Sequence, residues 1–255
     1  MLFSPPPAHS AQKIESGLVQ RTVQSNGQTY LVEVFVPPGW NANKKWPVIL
    51  FLHGAGHRLN LGESRSATSI GQLFIGYQNQ KEAIVVFPRC YVDEYWTQAH
   101  VAVVALQALE AAAREFHGDP QRTYLVGLSM GGFGTWYIAS QNPGRFAALV
   151  VVCGGIRTPE TIPIPAVSTE QNPYQATAHK LRSVPIWIFH GDKDDVIPIS
   201  ESRVMAKSLR ALGAKVRYTE YDGVGHNAWD KAFAEPEFFP WLFAHKLKSA
   251  KRSSR

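Results

Sequence analysis

The sequence Gly-Leu-Ser-Met-Gly-Gly, residues 127–132, decides how the rest of this chain is interpreted. The preceding residues, 122–127, predict a buried strand because they are β-branched and apolar, whereas residues 133–140 predict a helix. Glycines on both sides of Ser129 let neighbouring backbone approach closely, so the serine hydroxyl can project from a tight turn. The pattern is that of a nucleophile elbow, although Gly-x-Ser-x-Gly arises by chance in roughly one chain of this size in ten.

Strand-like runs alternate with helical segments along the chain. Residues 18–22 and 29–36 flank Asn26-Gly27, a pair that typically forms the turn of a β-hairpin. Further predicted strands, most of them apolar throughout, lie at residues 47–52, 83–87, 122–127, 147–153, 185–189 and 216–221. Because helical segments separate these strands, we predict an α/β fold. Its sheet would be mostly parallel and doubly wound, opened by an antiparallel hairpin and covered by helices on both faces.

The chain has 255 residues, 45% of them hydrophobic, which is enough to bury the core of one α/β domain. We expect this domain to span residues 17–247, between a flexible N-terminal tail, 1–16, and a basic C-terminal tail, 248–255. Residues 156–183 are rich in proline and show little periodicity, so they predict a short excursion over the site. No apolar stretch reaches the length of a membrane span and the N-terminal residues lack a secretory signal. We therefore expect a cytoplasmic protein.

The charge and the metal-binding residue types exclude several classes of partner. The net charge of +6 comes largely from lysines and arginines at residues 246–255, a pattern typical of a solvated tail, so no nucleic-acid partner is predicted. Cys90 and Cys153 lie beside apolar runs, where cysteine usually packs as a small hydrophobic residue. The sequence contains no zinc-type Cys/His spacing, no phosphate-binding glycine loop and no calcium loop. We therefore predict no metal and no cofactor.

A serine hydroxyl is a weak nucleophile, so Ser129 requires a histidine to take its proton and a carboxylate to orient that histidine. His226 follows the last predicted strand, and the carboxyl ends of parallel strands meet at one edge of a sheet. We therefore interpret His226 as the base. The candidates for the acid are three aspartates after strand 185–189 and one near His226, namely Asp192, Asp194, Asp195 and Asp222.

Two further loops at this edge could contribute to a site. Strand 47–52 ends in His-Gly-Ala-Gly, residues 53–56, where loose backbone could turn an amide toward a ligand; an ordinary turn is equally compatible with the sequence. The loop at residues 88–97 is rich in aromatic side chains. From that loop we predict Trp96, and from the loop after His226 we predict Trp229, as side chains that contact substrate. Packing over the end of the sheet is the alternative.

Four motifs together resemble the α/β-hydrolase superfamily. They are Leu-His-Gly-Ala-Gly at 52–56, Gly-Leu-Ser-Met-Gly-Gly-Phe-Gly-Thr-Trp at 127–136, His-Gly-Asp-Lys-Asp-Asp-Val-Ile-Pro at 190–198 and Gly-Val-Gly-His-Asn-Ala-Trp at 223–229. The likeness is to the branch of single-domain phospholipase/carboxylesterases, predicted peptidases and feruloyl-esterase-like enzymes. It extends over about residues 48–242, and four motifs in the family's order are far more specific than any one of them.

The resemblance implies a role for particular residues. In this family the acid is the fourth residue after the histidine of the His-Gly pair, which here is Asp194. The family's oxyanion hole uses the amide after the nucleophile, here Met130, and one from the glycine loop, here Ala55 with Gly56 as the alternative. Many members continue that loop with an acidic residue and Arg-Gly, whereas this chain has His-Arg-Leu at 57–59. The departure is compatible with the family's oxyanion hole, but the resemblance does not predict the shape of the pocket beside it.

The resemblance also implies an activity. We expect a serine carboxylesterase that hydrolyses small or short-chain acyl esters through an acyl-enzyme intermediate, with a small-molecule ester as its partner. A peptidase or a feruloyl-type esterase would use the same triad. Ester hydrolysis is favoured over peptide hydrolysis because the sequence has neither a separate gating domain nor an obvious acidic pocket for a cationic peptide end. An inactive binding scaffold is disfavoured because all three catalytic groups are present.

Overall fold

The computed structural model describes residues 16–60, 69–77, 82–160 and 162–248. An antiparallel hairpin opens the fold, in which β1 (Gly17–Ser25) and β2 (Gln28–Val36) pair along their whole length. Asn26 and Gly27, between the strands, have φ of 50° and 77°. A two-residue hairpin turn with positive φ at both central positions favours this Asn-Gly pair. The predicted hairpin is therefore confirmed.

One eight-stranded sheet forms the centre of the molecule. Its remaining strands are β3 (Trp46–Leu52), β4 (Ile84–Pro88), β5 (Gly118–Leu128), β6 (Ala148–Val152), β7 (Ile186–Gly191) and β8 (Val216–Tyr221). The strand order is β1-β2-β4-β3-β5-β6-β7-β8; β2 pairs antiparallel with β4, and all pairs from β4 to β8 are parallel. The mostly parallel sheet predicted from the sequence is thus confirmed, and the carboxyl ends of β3 to β8 share one edge.

Helices cover both faces of this sheet. The helices are α1 (Ser69–Tyr77), α2 (Ala99–Glu115), α3 (Met130–Gln141), α4 (Pro173–Leu181), α5 (Ser200–Ala211), α6 (Trp229–Ala234) and α7 (Phe238–Phe243). Residues of α2 to α5 share one hydrophobic cluster with Val48 and Leu50, whereas residues of α1, α6 and α7 share the other with Ile49 and Phe51. Successive side chains of β3 therefore point into opposite cores, which explains why the strand is apolar throughout.

Two helical segments differ from the sequence-based expectation. The excursion at 156–183 contains α4, which begins where the Asn172 side chain accepts a hydrogen bond from the Gln175 amide at 3.2 Å and Pro173 occupies the first turn. This cap starts a helix without strong periodicity. The single closing helix predicted at 236–247 is instead α6 and α7. Glu235 separates them in an extended conformation because it precedes proline, which disfavours the helical conformation.

The predicted tails, 1–16 and 248–255, lie outside the described residues apart from Ser16 and Lys248. Within the described ranges, no helix is both long and apolar enough to cross a membrane. Cys90 and Cys153 are buried and carry free thiols.

Candidate active site

Ser129 lies in a tight turn between β5 and α3. Its backbone has φ 51° and ψ −120°, a conformation that is strained for any residue except glycine. The Ser129 amide donates to the Val152 carbonyl at 2.9 Å, which fixes the turn against β6. A Cβ atom on Gly127 would lie 2.1 Å from the Gly131 carbonyl oxygen, and one on Gly131 would lie 2.0 Å from the Leu52 oxygen. Both glycines are therefore needed for the backbone to close around the serine.

A chain of hydrogen bonds connects Ser129, His226 and Asp194. The Ser129 Oγ lies 2.8 Å from His226 Nε2, and His226 Nδ1 lies 2.8 Å from Asp194 Oδ2. The Asp194 side chain is fully buried, whereas that of His226 is 18% exposed. An ionised carboxylate only accepts hydrogen bonds, so Nδ1 carries the imidazole proton and Nε2 is left to accept the serine proton. The three groups are arranged for proton transfer from the hydroxyl.

The sequence offers four aspartates as candidates for the acid, and their hydrogen bonds distinguish one of them. Asp194 Oδ1 accepts hydrogen bonds from the Val196 and Ile197 amides at 2.9 and 2.8 Å, so its second oxygen is directed at His226. Asp192 instead accepts from the Gly223 amide at 2.7 Å and thereby connects the aspartate loop to the histidine loop. The other two candidates, Asp195 and Asp222, are exposed.

Hydrogen bonding determines the ionisation of the aspartate. Burial alone would raise the pKa of Asp194, but hydrogen bonds from His190, His226 and the Ile197 amide outweigh burial and hold this pKa well below its usual range. Asp194 is therefore a carboxylate throughout the neutral and mildly acidic range.

Gly191 is a site residue that sequence reasoning did not single out. A Cβ atom on Gly191 would lie 2.2 Å from the Val224 oxygen and 2.5 Å from the Gly225 oxygen. The same Val224 oxygen accepts from the Lys193 amide at 2.9 Å. The loop that carries His226 therefore lies directly on the loop that carries the aspartate. The only signal in the sequence was the glycine of the motif at 190–198.

We expect Gly191→Ala to lower kcat by about ten- to a hundredfold. A displacement of about 1 Å in the histidine loop would misalign His226 with the Ser129 hydroxyl and the Asp194 carboxylate. The measurement is steady-state turnover of a chromogenic acetyl ester, with thermal unfolding to follow the fold. Gly225→Ala is the matched control, since its Cβ would approach the nearest atom, the Lys193 oxygen, only to 3.8 Å. Equal loss of activity in both variants would show that the close contact at Gly191 is not what positions the histidine.

The loop after β3 lies beside the serine. A Cβ atom on Gly54 would be 3.5 Å from the Ser129 Cβ atom. The Gly54 oxygen accepts from the His57 amide at 3.1 Å, and the Ala55 oxygen accepts from Arg58 Nε at 3.1 Å. The bond from the His57 amide, with a second from the Arg58 amide to the Ala55 oxygen at 3.3 Å, forms a single 3-10 turn, Ala55–His57.

Backbone amides in two segments remain available near Ser129. Among the described residues, the amides of Met130, Ala55 and Gly56 donate to no protein acceptor. Met130 begins α3, where the partial positive charge of the helix N-terminus also favours an anion. N–H groups without an acceptor can donate to an oxygen that develops negative charge. As the second donor beside Met130, Gly56 stays an alternative to Ala55.

The two tryptophans predicted to contact substrate differ in their surroundings. Trp96 is completely buried, and its indole N–H donates to the His53 oxygen at 2.9 Å. The Trp96 prediction is therefore wrong in this structure, because the ring packs against Gly134 of α3 and supports the loop from beneath. Trp229 is half-buried, with its ring edge-on to His226 at a centroid distance of 5.6 Å. Contact between Trp229 and substrate stays a prediction.

Two further ionisable groups lie beneath the site. Burial, with a contribution from Arg89, lowers the pKa of His53 to about 3, so this histidine is neutral and its Nδ1–H donates to the Gly54 oxygen at 2.8 Å. Cys153 has its sulfur within 4.8 Å of ligand-type atoms of Asp194 and His226. Burial raises the pKa of the Cys153 thiol, and metal ions bind the thiolate. We assign no metal to this cluster.

Comparisons with known proteins show the family and the fold of this chain. The sequence profile of a family described as "Putative esterase" matches residues 24–239. The chain is 29% identical over 253 residues to a poly(3-hydroxyoctanoate) depolymerase of Pseudomonas fluorescens, covering 91% of this chain and 83% of that protein. It is 25% identical over 120 residues to acyl-protein thioesterase 1 of Gibberella zeae, covering 47% of each. A thermostable esterase of known structure matches with a TM-score of 0.75 and 28% identity, over 90% of this chain and 63% of that chain.

These likenesses confirm the superfamily resemblance carried by the four motifs. This chain covers less than two thirds of the length of the thioesterase and of the thermostable esterase.

Proposed function

The chain belongs to the family described as "Putative esterase", and we propose that it is a serine carboxylesterase that hydrolyses small or short-chain acyl esters. The observation that carries this proposal is the hydrogen-bonded series Ser129, His226 and Asp194, with 2.8 Å at both junctions. Beside it lie amides that have no acceptor in the part of the protein that the structure describes.

In the first step Ser129 Oγ forms a bond to the ester carbonyl carbon while His226 Nε2 takes the hydroxyl proton. The carbonyl oxygen becomes an oxyanion, which the amides of Met130 and Ala55 stabilise. Asp194 stabilises the imidazolium and keeps its proton on Nδ1. The tetrahedral species then expels the alcohol oxygen, which takes the proton from Nε2, and an acyl-serine remains.

In the second step water attacks the acyl-serine. His226 Nε2 removes the water proton, the same amides hold the second oxyanion, and the proton returns to Ser129 Oγ as the carboxylic acid leaves. Each step conserves charge and protons with the chain's own residues, so the proposed reaction uses neither a metal nor an organic cofactor.

The proposed preference for small acyl groups follows from the segment after β6. In the described part of residues 156–183, the one helix, α4, packs against α3 and α5 and belongs to the hydrophobic cluster on that face of the sheet. It therefore forms no enclosing domain over Ser129. Binding of long acyl chains depends on buried apolar area, and the described residues supply no enclosing domain to provide it, which is our reason for proposing small acyl groups.

Three alternatives remain distinct from this proposal. A peptidase or a feruloyl-type esterase would use the same three groups, and two relatives carry names that refer to thioesters and polyesters. A catalytically inactive scaffold is disfavoured because the nucleophile, base and acid are all within hydrogen-bonding distance.

A panel of chromogenic esters that differ only in the acyl group tests the proposed function. With acetyl, butyryl, octanoyl and feruloyl esters, we expect the highest kcat/KM for acetyl or butyryl. A peptide anilide should be turned over much more slowly. Preference for the octanoyl or feruloyl ester would contradict the short-chain assignment, and preference for the anilide would favour a peptidase.

A further inference from the structure

A second histidine, besides His226, contacts the Asp194 carboxylate. His190, at the end of β7, is fully buried, and its Nε2 lies 3.0 Å from Asp194 Oδ2. This is the same oxygen that His226 Nδ1 contacts at 2.8 Å. His190 Nε2 also lies 3.0 Å from the Ile197 carbonyl oxygen, and its Nδ1 lies 2.7 Å from the Ser202 hydroxyl.

These contacts fix where the His190 ring carries its proton. The Ile197 carbonyl can only accept, and the Asp194 carboxylate also only accepts, so Nε2 must be protonated to serve both. The Ser202 hydroxyl can rotate to donate to Nδ1, and this serine is 2% exposed. His190 is thus oriented by α5 at Nδ1, and the single proton on its Nε2 is shared between the Ile197 carbonyl and Asp194 Oδ2.

We propose that His190, oriented by Ser202, is a positioning residue that sets how strongly Asp194 attracts the proton of His226. This inference rests on the proposed function, in which Asp194 orients the catalytic base. A donor on Oδ2 stabilises the carboxylate charge and makes the carboxylate a weaker base. The carboxylate then stabilises the imidazolium less, so His226 stays in its neutral, proton-accepting form at lower pH.

Neighbouring elements also direct titratable groups toward this pair. Cys153 follows β6, and burial raises the pKa of its thiol, so it is uncharged. Glu220 on β8 is directly opposite His190 in the sheet, but its carboxylate is held by Arg203 of α5 at 2.6 and 3.0 Å. Besides His226, the polar group that contacts Asp194 Oδ2 is therefore His190, and the Glu220 charge is balanced by its own partner.

Two substitutions at one position separate the donor from the bulk of the ring. His190→Gln places an amide NH2 near the position of Nε2 and can still donate to Asp194. His190→Asn places its amide near Nδ1, where it can reach Ser202, and has no donor for the aspartate. Ser202→Ala removes the hydroxyl that orients the ring and is the mildest change. Ser208→Ala, in the same helix, is the control, since its hydroxyl donates to the Val204 carbonyl of the preceding turn.

The experiment is the pH profile of kcat/KM for a chromogenic acetyl ester, together with NMR titration of the His226 imidazole in protein labelled with 15N-histidine. We expect His190→Asn to move the rising limb of the profile, and the half-protonation of His226, to higher pH by about 0.5 to 1 unit. His190→Gln should restore the wild-type profile, Ser202→Ala should shift it by less than His190→Asn, and Ser208→Ala should leave it unchanged.

A purely structural role for His190 predicts a different result. Its loss would then lower the amount of folded protein, or kcat, without moving either titration, and His190→Gln would be no better than His190→Asn. Titrations that do not move in His190→Asn, or a His190→Gln variant that behaves like His190→Asn, would overturn the proposal. If His190→Asn does not fold, Ser202→Ala decides by the same two readouts. The NMR titration does not require turnover, so a wild-type protein that hydrolyses no ester would contradict the proposed function while the role of His190 is still decided.

Discussion

Replacing Ser129 with alanine is expected to lower kcat for an acetyl ester by four to six orders of magnitude. Losses of this order are typical of serine hydrolase triads. The three groups act as a unit, so the loss of the nucleophile removes nearly all of the rate acceleration that the triad provides. The substitution deletes one oxygen, which lies 2.8 Å from His226 Nε2, and leaves the rest of the turn in place. Burst and steady-state kinetics on the purified variant provide the measurement.

Two further variants make this result specific. Ser140→Ala removes a hydroxyl from the far end of α3, where it donates to the Tyr137 carbonyl, and should keep wild-type turnover. Ser129→Gly should be as inactive as Ser129→Ala but more stable by about 1 kcal/mol, because glycine relieves the strain of φ 51° that alanine retains. Turnover by Ser129→Ala within tenfold of the wild type would eliminate this serine as the nucleophile.

Local sequence was sufficient for the elements whose signals are local. The hairpin was predicted from Asn26-Gly27 because that pair fits its turn, and the parallel strands were predicted because strands buried on both faces are apolar throughout. The elbow at Ser129 depended on glycines, and the distances at Gly127 and Gly131 explain why a side chain is excluded there. In each case the physical constraint acts within a few residues of the pattern.

Features that depend on contacts between distant segments could not be predicted from local sequence. An aromatic residue in a loop fits either a pocket or the core, and Trp96 is buried because Gly134, 38 positions later, has no side chain to exclude it. The choice among the aspartates was made by resemblance, since the residue types alone do not specify which carboxylate the Val196 and Ile197 amides will hold. The role inferred for His190 likewise required the position of Ser202 on another element.

Replacing Asp194 with asparagine is expected to lower kcat by about ten-thousandfold near neutral pH, as in other triads whose aspartate is made an amide. The reason lies in the surrounding donors. The Val196 and Ile197 amides both donate to Oδ1, so the asparagine oxygen will take that position and its NH2 group will replace Oδ2. His190 Nε2 then keeps its hydrogen bond to the Ile197 carbonyl and loses its acceptor at residue 194. That NH2 then faces His226 Nδ1 as a donor, which forces Nδ1 to accept and places the imidazole proton on Nε2. A protonated Nε2 cannot remove the proton of Ser129.

The neighbouring carboxylate provides a matched control, since Asp195→Asn makes the same chemical change at an exposed residue one position along the loop and should leave kcat unchanged. A wrong tautomer impairs proton transfer and not ester binding, so Asp194→Asn should reduce kcat with little effect on KM. NMR of 15N-labelled histidine can observe the tautomer directly, with the proton on Nδ1 of His226 in the wild type and on Nε2 in the variant. A loss of less than tenfold, or a variant that keeps the proton on Nδ1, would mean that the buried carboxylate is not what orients the base.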